Sequence, residues 1–202
     1  MAGSKERRAF DAKTAWVVGA DEIFPRAVAV ELAARGAFVW AMGAVERALG
    51  QVVGEIAYQG GQARHLIVPL PWSATEAAFA SRDLGTAVAS VPGDLHLLVV
   101  AAPASRGRET ALIDQILEVT LPRLGAGGAV LILAQGPLDD GLAAWTRAAG
   151  RRLARGAMGH VVNTLVLLRP DGDEAAAARL ASLLLLPEAG GLSGQVIVAA
   201  SG

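Results

Sequence analysis

The sequence predicts an α/β protein with a doubly wound parallel sheet of about seven strands in the order 3-2-1-4-5-6-7. Short apolar runs alternate with helix-length stretches along the whole chain, which is typical of strands joined by helical crossovers. The runs are continuously apolar, as in strands that are covered on both faces. Glycine and proline clusters separate the two kinds of segment. We therefore expect a three-layer α/β/α arrangement, with helices on both faces of the sheet.

The seven predicted strands are segments rich in aliphatic and β-branched residues, which favour extended backbone. In chain order they span residues 15–19, 38–42, 63–68, 95–101, 129–134, 160–168 and 195–199. Helices are predicted between them near residues 25–35, 44–58, 73–90, 109–124, 139–155 and 173–186. Each unit closes on residues that break regular structure: Gly36, Gly60-Gly61, Pro92-Gly93, Gly125 to Gly128, Pro170-Asp171-Gly172 and Gly190-Gly191.

The first unit illustrates how these boundaries follow from single residues. The first strand ends at Gly19. Pro25 suits the first turn of the helix that follows, because a backbone N–H has no helical partner there. Gly36 then ends the helix before the second apolar run begins. We expect one domain over residues 1–202, in which residues 1–12 form a flexible polar tail.

Composition excludes several classes of function. The chain has 202 residues and a formal net charge of −1, so it lacks the basic character expected of a protein that binds nucleic acid or anionic lipid. It contains no cysteine, which excludes disulfides, cysteine zinc sites and thiol nucleophiles. No apolar run reaches the roughly 18–20 residues of a membrane span, and the chain begins with a polar segment that does not resemble a leader. We expect a cytoplasmic protein without membrane contact.

Six segments in chain order resemble the short-chain dehydrogenase/reductases, and the 3-oxoacyl-carrier-protein reductase branch in particular. The first, residues 17–36, begins Val17-Val18-Gly19-Ala20-Asp21-Glu22-Ile23 and is similar to the opening strand–turn–helix unit of that family. The others are Gly60-Gly61-Gln62-Ala63-Arg64, residues 93–103, residues 121–133, Gly159-His160-Val161-Val162-Asn163-Thr164 and residues 192–198. The resemblance covers nearly the whole chain. It implies a Rossmann-like fold that binds NAD(P) at the carboxyl ends of its strands.

The loop that holds the cofactor phosphates in this family departs from the family pattern here. The resemblance implies glycines at positions 19, 23 and 25, where backbone N–H groups approach a pyrophosphate. Gly19 is present, but Ile23 adds a branched side chain and Pro25 lacks an N–H. Asp21 and Glu22 add negative charge beside the phosphate position. The end of the second predicted strand also lacks an acidic residue for the ribose, so we expect no bound cofactor.

The catalytic residues of the family are missing as well. The resemblance implies a tyrosine as general acid/base, a lysine that lowers its pKa and a serine that orients the substrate carbonyl. The tyrosine and lysine positions hold Trp145 and Ala149, and the serine region holds Ala134 and Gln135. The chain has one tyrosine, Tyr58, and two lysines, so no Tyr-x-x-x-Lys motif can be written anywhere in it. The substrate lid that follows the sixth strand in relatives is shortened to a turn.

No other chemistry replaces this site in the sequence. The three histidines stand near the starts of predicted strands, without partners at metal-binding spacing, and we expect no metal site. A residual crevice is expected near Ala102, Ser105 and Arg106, at the edge of the sheet where such folds bind ligands. An arginine there can hold an anion, although a solvated loop is the simpler explanation.

A retained fold and a lost site together predict a non-catalytic homologue that acts as a structural subunit. The resemblance implies that helices 109–124 and 139–155 pair with a second subunit, and that the last helix and strand, 173–186 and 195–199, form another interface. The second subunit would be another copy of this chain or an active relative. One alternative is a divergent NAD(P)-dependent oxidoreductase for a 3-oxo- or 3-hydroxyacyl substrate. Another is a small-molecule binding module that uses the residual crevice.

Overall fold

Seven strands form one parallel sheet in the order β3-β2-β1-β4-β5-β6-β7, which confirms the predicted fold class and strand order. The computed structural model describes residues 8–68, 85–102, 109–135, 140–154, 160–167, 173–186 and 193–199. The strands are β1 Thr14–Val18, β2 Phe38–Gly43, β3 Gln62–Ile67, β4 Leu95–Ala102, β5 Leu124–Gln135, β6 Val161–Leu167 and β7 Val196–Ala199. The helices are α1 Ile23–Ala34, α2 Glu46–Tyr58, α3 Glu109–Thr120, α4 Asp140–Ala154 and α5 Glu174–Leu184. A helical segment also covers residues 85–90.

The central strands contribute side chains alternately to two hydrophobic cores, one on each face of the sheet. In β1, Val17 belongs to the core between the sheet and helices α1, α2 and α5. Trp16 belongs to the core between the sheet and helices α3 and α4. Both side chains are fully buried. Because successive side chains of a strand point to opposite faces, a strand covered on both faces needs an apolar residue at every position.

The start of β5 differs from the sequence prediction. The sequence predicts a break at Gly125 to Gly128, but these residues lie inside β5, which begins at Leu124. The pairing of β4 with β5 is irregular between Leu95 and Leu97, and Gly127 has a φ of +71°. Glycine adopts such backbone without a steric penalty. The glycine cluster therefore marks an irregularity within the strand rather than its boundary.

Two helix ends have clear local causes. The helix predicted over residues 109–124 ends at Thr120 and continues as a 3-10 turn, Leu121–Arg123. Pro122 cannot extend the α-helix, because its ring lacks an N–H and clashes with the preceding turn. At the start of α5, the Asp173 carboxylate accepts a hydrogen bond from the backbone N–H of Ala176 at 2.9 Å. This cap satisfies one of the N–H groups that a helix start leaves without a partner.

Residues 8–12, which the sequence assigns to a flexible tail, pack against the end of α1. The Phe10 side chain is 1% exposed. Its backbone N–H donates to the Arg35 carbonyl at 3.0 Å, and its carbonyl accepts from the Lys13 N–H at 3.0 Å. The tail prediction is wrong for these residues, because one buried aromatic side chain outweighs its polar neighbours. The rest of the predicted tail, residues 1–7, lies outside the described residues.

Helix α4 is fixed against β6 and the turn that precedes β7. The buried hydroxyls of Thr146 and Thr164 share a hydrogen bond of 2.6 Å. Further along α4, a Cβ added at Gly150 would collide with the backbone of Gly194. The Gly194 N–H in turn donates to the carbonyl of Val162 at 2.6 Å. The helix and the C-terminal turn are therefore in direct backbone contact.

The direction of strand order reverses between β1 and β4, and parallel sheets of this kind bind ligands at such a reversal. Helix α1 follows β1 and packs on one face, whereas α3 follows β4 and packs on the other. Helices that diverge in this way leave a cleft outside the carboxyl ends of the two strands, which is where such sheets bind ligands. The candidate site therefore lies between the loop after β1 and the end of β4.

Replacing Phe10 with alanine tests whether residues 8–12 belong to the folded core. We expect Phe10→Ala to lower the free energy of unfolding by about 3–5 kcal/mol, the usual loss for a buried phenylalanine. Tyr58→Ala is the matched control, since that ring is 94% exposed, and we expect a change within about 0.5 kcal/mol. Urea unfolding of the three proteins measures both values. Equal stability of Phe10→Ala and the wild type would contradict this packing and support a flexible tail over residues 8–12.

Candidate functional site

Gly19 lies at the base of the crevice, and packing of the chain itself accounts for it. Its φ is +84°, a conformation that side chains other than glycine rarely adopt. A Cβ added to it would lie 2.6 Å from the Cβ of Ala101 on β4. The N–H groups of Gly19 and Ala20 both donate to the Met42 carbonyl, at 2.8 and 2.9 Å. Gly19 is therefore required by the close approach of β1 and β4, without any ligand.

The start of α1 presents an apolar side chain at the position where the resemblance implies a pyrophosphate. Ile23 is the first residue of α1, and its side chain is 63% exposed at the mouth of the crevice. Pro25 is buried in the first turn and has no N–H to offer. The N–H of Glu22 donates to the Gly19 carbonyl at 2.9 Å. The N–H groups of Gly19, Ala20 and Glu22 thus donate within the chain rather than to a phosphate.

Asp21 makes a contact that the sequence did not predict. Its carboxylate Oδ2 accepts hydrogen bonds from the backbone N–H groups of Ala44 and Val45, at 2.9 and 3.0 Å. These two residues connect β2 to α2. The sequence marks Asp21 as a negative charge near the phosphate position, whereas in the structure it bridges from the loop after β1 to the loop after β2. A contact across more than twenty residues leaves no local signal in the sequence.

At the two positions assigned to the catalytic tyrosine and lysine, one side chain bonds to α3 and the other packs in the core. Helix α4 runs from the carboxyl edge of the sheet towards its amino edge, so Trp145 and Ala149 stand about 7.5 and 13.5 Å along it. The indole Nε1 of Trp145 donates to the Asp114 carboxylate on α3 at 2.9 Å. Ala149 is buried in the core beneath the helix. Neither the indole of Trp145 nor the methyl group of Ala149 can act as a general acid or base.

The tyrosine and the lysine that the structure describes lie at the opposite edge of the sheet. Tyr58 is the last residue of α2, a helix that starts at the carboxyl edge and ends at the amino edge. Its side chain is 94% exposed. Lys13 immediately precedes β1, also at the amino edge. The chain has one tyrosine. A different alignment with the family therefore cannot place a phenol at the crevice.

The wall of the crevice formed by β4 and β5 consists of small and amide side chains. Ala102 ends β4 and pairs with Ala134 near the end of β5. Both are 8% exposed, and the next residue, Gln135, is half-buried. A methyl group and an amide cannot transfer a proton at neutral pH. Ser105 and Arg106, predicted to line the same crevice, lie outside the described residues.

The histidines that are buried or half-buried stand far from the crevice. His96 near the start of β4 accepts a hydrogen bond at Nδ1 from the Thr14 N–H at 3.1 Å. Burial, and then the charge of Lys13, lower the pKa of His96, while Asp94 raises it by less. Burial alone lowers the pKa of His160. Both imidazoles are therefore neutral at pH 7.

The described part of the chain contains neither a metal-binding cluster nor a membrane-spanning helix. No group of three or more histidine, aspartate or glutamate side chains within it converges on a point that could hold a metal ion. None of its helices combines the length and the apolar character needed to cross a bilayer.

A polar cavity of about 600 Å³ lies at the amino edge of the sheet, with Arg8, Asp11 and Lys13 in its lining. It opens away from the edge at which such folds bind nucleotides.

Replacing Gly19 with alanine tests whether packing alone requires this glycine. We expect Gly19→Ala to lower the free energy of unfolding by about 2–4 kcal/mol, from the positive φ and the overlap with Ala101. Gly54→Ala is the control, because nothing lies within 4 Å of a Cβ there; at that helical position we expect a gain of about 0.5–1 kcal/mol. Adding Ala101→Gly to Gly19→Ala should recover part of the loss in urea unfolding. An unchanged stability of Gly19→Ala would remove the packing explanation.

Solved structures with the same architecture are dehydrogenases and reductases. A short-chain dehydrogenase/reductase from Serratia marcescens is 17% identical, with 96% of this chain and 98% of that chain covered and a TM-score of 0.76. A dehydrogenase/reductase from Sinorhizobium meliloti is 20% identical, with 95% of each chain covered and a TM-score of 0.74. A hydroxysteroid dehydrogenase from Escherichia coli is 20% identical, with 96% and 97% covered and a TM-score of 0.74. No protein-family model and no curated protein matches the sequence. The chain therefore has the fold of the short-chain dehydrogenase/reductases.

Proposed function

We propose that the protein is a non-catalytic homologue of the short-chain dehydrogenase/reductases that acts as a cytoplasmic structural subunit of an oligomer. The observation that carries this proposal is the position of the single tyrosine. A proton-transfer group must reach the substrate at the carboxyl edge, and Tyr58 is exposed at the amino edge. The Trp145 indole in α4 donates its one N–H to Asp114. An indole neither accepts nor releases a proton at neutral pH.

The crevice also supports the absence of a bound cofactor. A dinucleotide needs free N–H groups at the start of α1 and a residue at the end of β2 that reads the ribose. Ile23 and Pro25 replace two of the glycines that would admit the pyrophosphate. At the end of β2, the N–H groups of Ala44 and Val45 already donate to Asp21. We therefore propose that any NAD(P) in the oligomer is bound by a partner subunit.

The outer surface of α3 and α4 supports assembly. Trp145 and Asp114 join the two helices through their hydrogen bond, which fixes the helices relative to each other. Ala144 and Ala148 are exposed on α4, and Ala111 is exposed on α3. Small exposed residues allow helices of two subunits to approach closely, and a half-buried tryptophan beside them is a common anchor of protein interfaces.

The charges on the same surface are complementary between the two helices. Asp114 and Glu118 are exposed one turn apart on α3, and Arg147 and Arg151 are exposed one turn apart on α4. Within the described residues, none of these four side chains forms an ion pair. In a two-fold interface each contact occurs twice, so α3 of one copy against α4 of the other would pair these charges on both sides. This pattern favours a second copy of the chain, or an active relative with the same fold, as the partner.

A cofactor titration tests the non-catalytic proposal directly. We expect neither NADH nor NADPH at millimolar concentration to raise the unfolding temperature of the purified protein, or to change nucleotide fluorescence, in a saturable way. Binding to the native state must stabilise it, by about 2.7 kcal/mol at 100 times Kd, so a real site would be seen. An active short-chain dehydrogenase serves as the positive control. A saturable response would favour the alternative of a divergent NAD(P)-dependent oxidoreductase, or of a binding module that uses the crevice.

Native mass measurement tests the assembly. We expect the purified chain to have twice the mass of one chain, and Ala148→Glu to yield folded monomers. A carboxylate in the centre of a close helix contact introduces both bulk and an unpaired charge. Ala57→Glu on the exposed surface of α2 adds the same side chain elsewhere and should leave the mass unchanged. A wild-type monomer would contradict the homodimer and leave only assembly with an active relative.

A further inference from the structure

The Asp21 carboxylate is held as a bound anion would be. A single oxygen, Oδ2, receives the N–H groups of two consecutive residues, Ala44 and Val45. Consecutive backbone donors that converge on one point form a common binding arrangement for anions in proteins. These donors lie just before α2, whose N-terminal end carries a partial positive charge. The side chain reaches them from another loop, twenty-three residues earlier in the chain.

Gly43 is matched to this contact. A Cβ added to Gly43 would lie 2.5 Å from the Asp21 Cγ and closer still to its Oδ1. Any other residue at this position would therefore push the carboxylate out of its place. Glycine at the end of a strand often marks the close approach of a ligand or of another backbone. Here the group that approaches is the carboxylate of the chain itself.

The contact occupies the part of the crevice that reads a nucleotide ribose in this kind of fold. That reading position lies at the end of the second strand, about twenty residues after the glycine loop. Asp21 belongs to the loop, and Ala44 and Val45 follow the second strand. The carboxylate therefore lies between the loop after β1 and the loop after β2, at the position where a ribose would be read.

We propose that Asp21 is a built-in occupant of the nucleotide crevice, which fills the N–H pair of Ala44 and Val45 and keeps anionic groups out. This inference rests on the proposed absence of cofactor binding and supplies a cause for it. It also gives Gly43 a role at a position where no ligand is expected. Removing the carboxylate should expose an anion site that the wild-type protein does not present.

The test uses inorganic phosphate as the probe and the full chain as the protein. In Asp21→Ala, we expect phosphate to shift the amide resonances of Ala44 and Val45 saturably in ¹H–¹⁵N spectra. At ten times Kd it should raise the unfolding temperature by roughly 3–5 °C. The wild type should show neither effect beyond the general stabilisation that phosphate gives any protein. Glu22→Ala is the matched control, because it removes a neighbouring exposed carboxylate that does not touch the two N–H groups.

A second variant, Gly43→Ala, should free the N–H groups of Ala44 and Val45 without removing the Asp21 carboxylate. In Gly43→Ala the new Cβ displaces the carboxylate, so the Ala44 and Val45 amides should again respond to phosphate. The double variant Asp21→Ala/Gly43→Ala should lose less stability than the sum of the two single variants, since the two residues contact each other. Unshifted amides in both single variants, or an equal shift in the wild type, would overturn the proposal. NAD(P)H binding by the wild type is measured separately, and it would contradict the proposed function without deciding the phosphate result.

Discussion

The close approach of β1 and β4 at Gly19 and Ala101 sets the geometry of the whole carboxyl edge. The two strands meet so closely there that no Cβ fits on Gly19, and its backbone must take a positive φ. From that point α1 and α3 diverge to opposite faces of the sheet. The crevice, the position of Ile23 at its mouth and the reach of Asp21 towards β2 all follow from this contact. Packing alone therefore accounts for glycine at position 19.

The sequence predicted the sheet well because burial on both faces leaves a direct mark on composition. A central strand without exposed positions is apolar throughout, whereas the edge strands β3 and β7 carry exposed positions. The prediction was wrong at one glycine-rich stretch and at one buried aromatic side chain. Gly125 to Gly128 pair as part of β5 although their composition indicates a turn. Phe10 is a single aromatic residue in a polar segment, and its burial depends on the distant end of α1.

The sequence predicted which catalytic residues the candidate site lacks, but it did not predict the contacts that the site contains. The absence of a second tyrosine and of lysines beyond position 13 is a property of the sequence, so it holds whatever the alignment. The contact of Asp21 with Ala44 and Val45 is a property of the fold, and no spacing rule indicates it. The direction of the Trp145 side chain likewise depends on where α3 lies, which the pattern of α4 alone does not encode.

The attachment of α4 has a consequence for partner choice. Its hydroxyl pair with β6 and its backbone contact at Gly150 and Gly194 prevent the helix from sliding along its axis or rotating. Interior packing of this kind resists small adjustments. In the oligomer that we propose, a surface carried on such a helix would act as a rigid template, so a mismatched subunit would gain nothing from mutual adjustment. Selectivity among subunits of the same architecture would then depend on the spacing of a few side chains, rather than on the total area that two subunits bury.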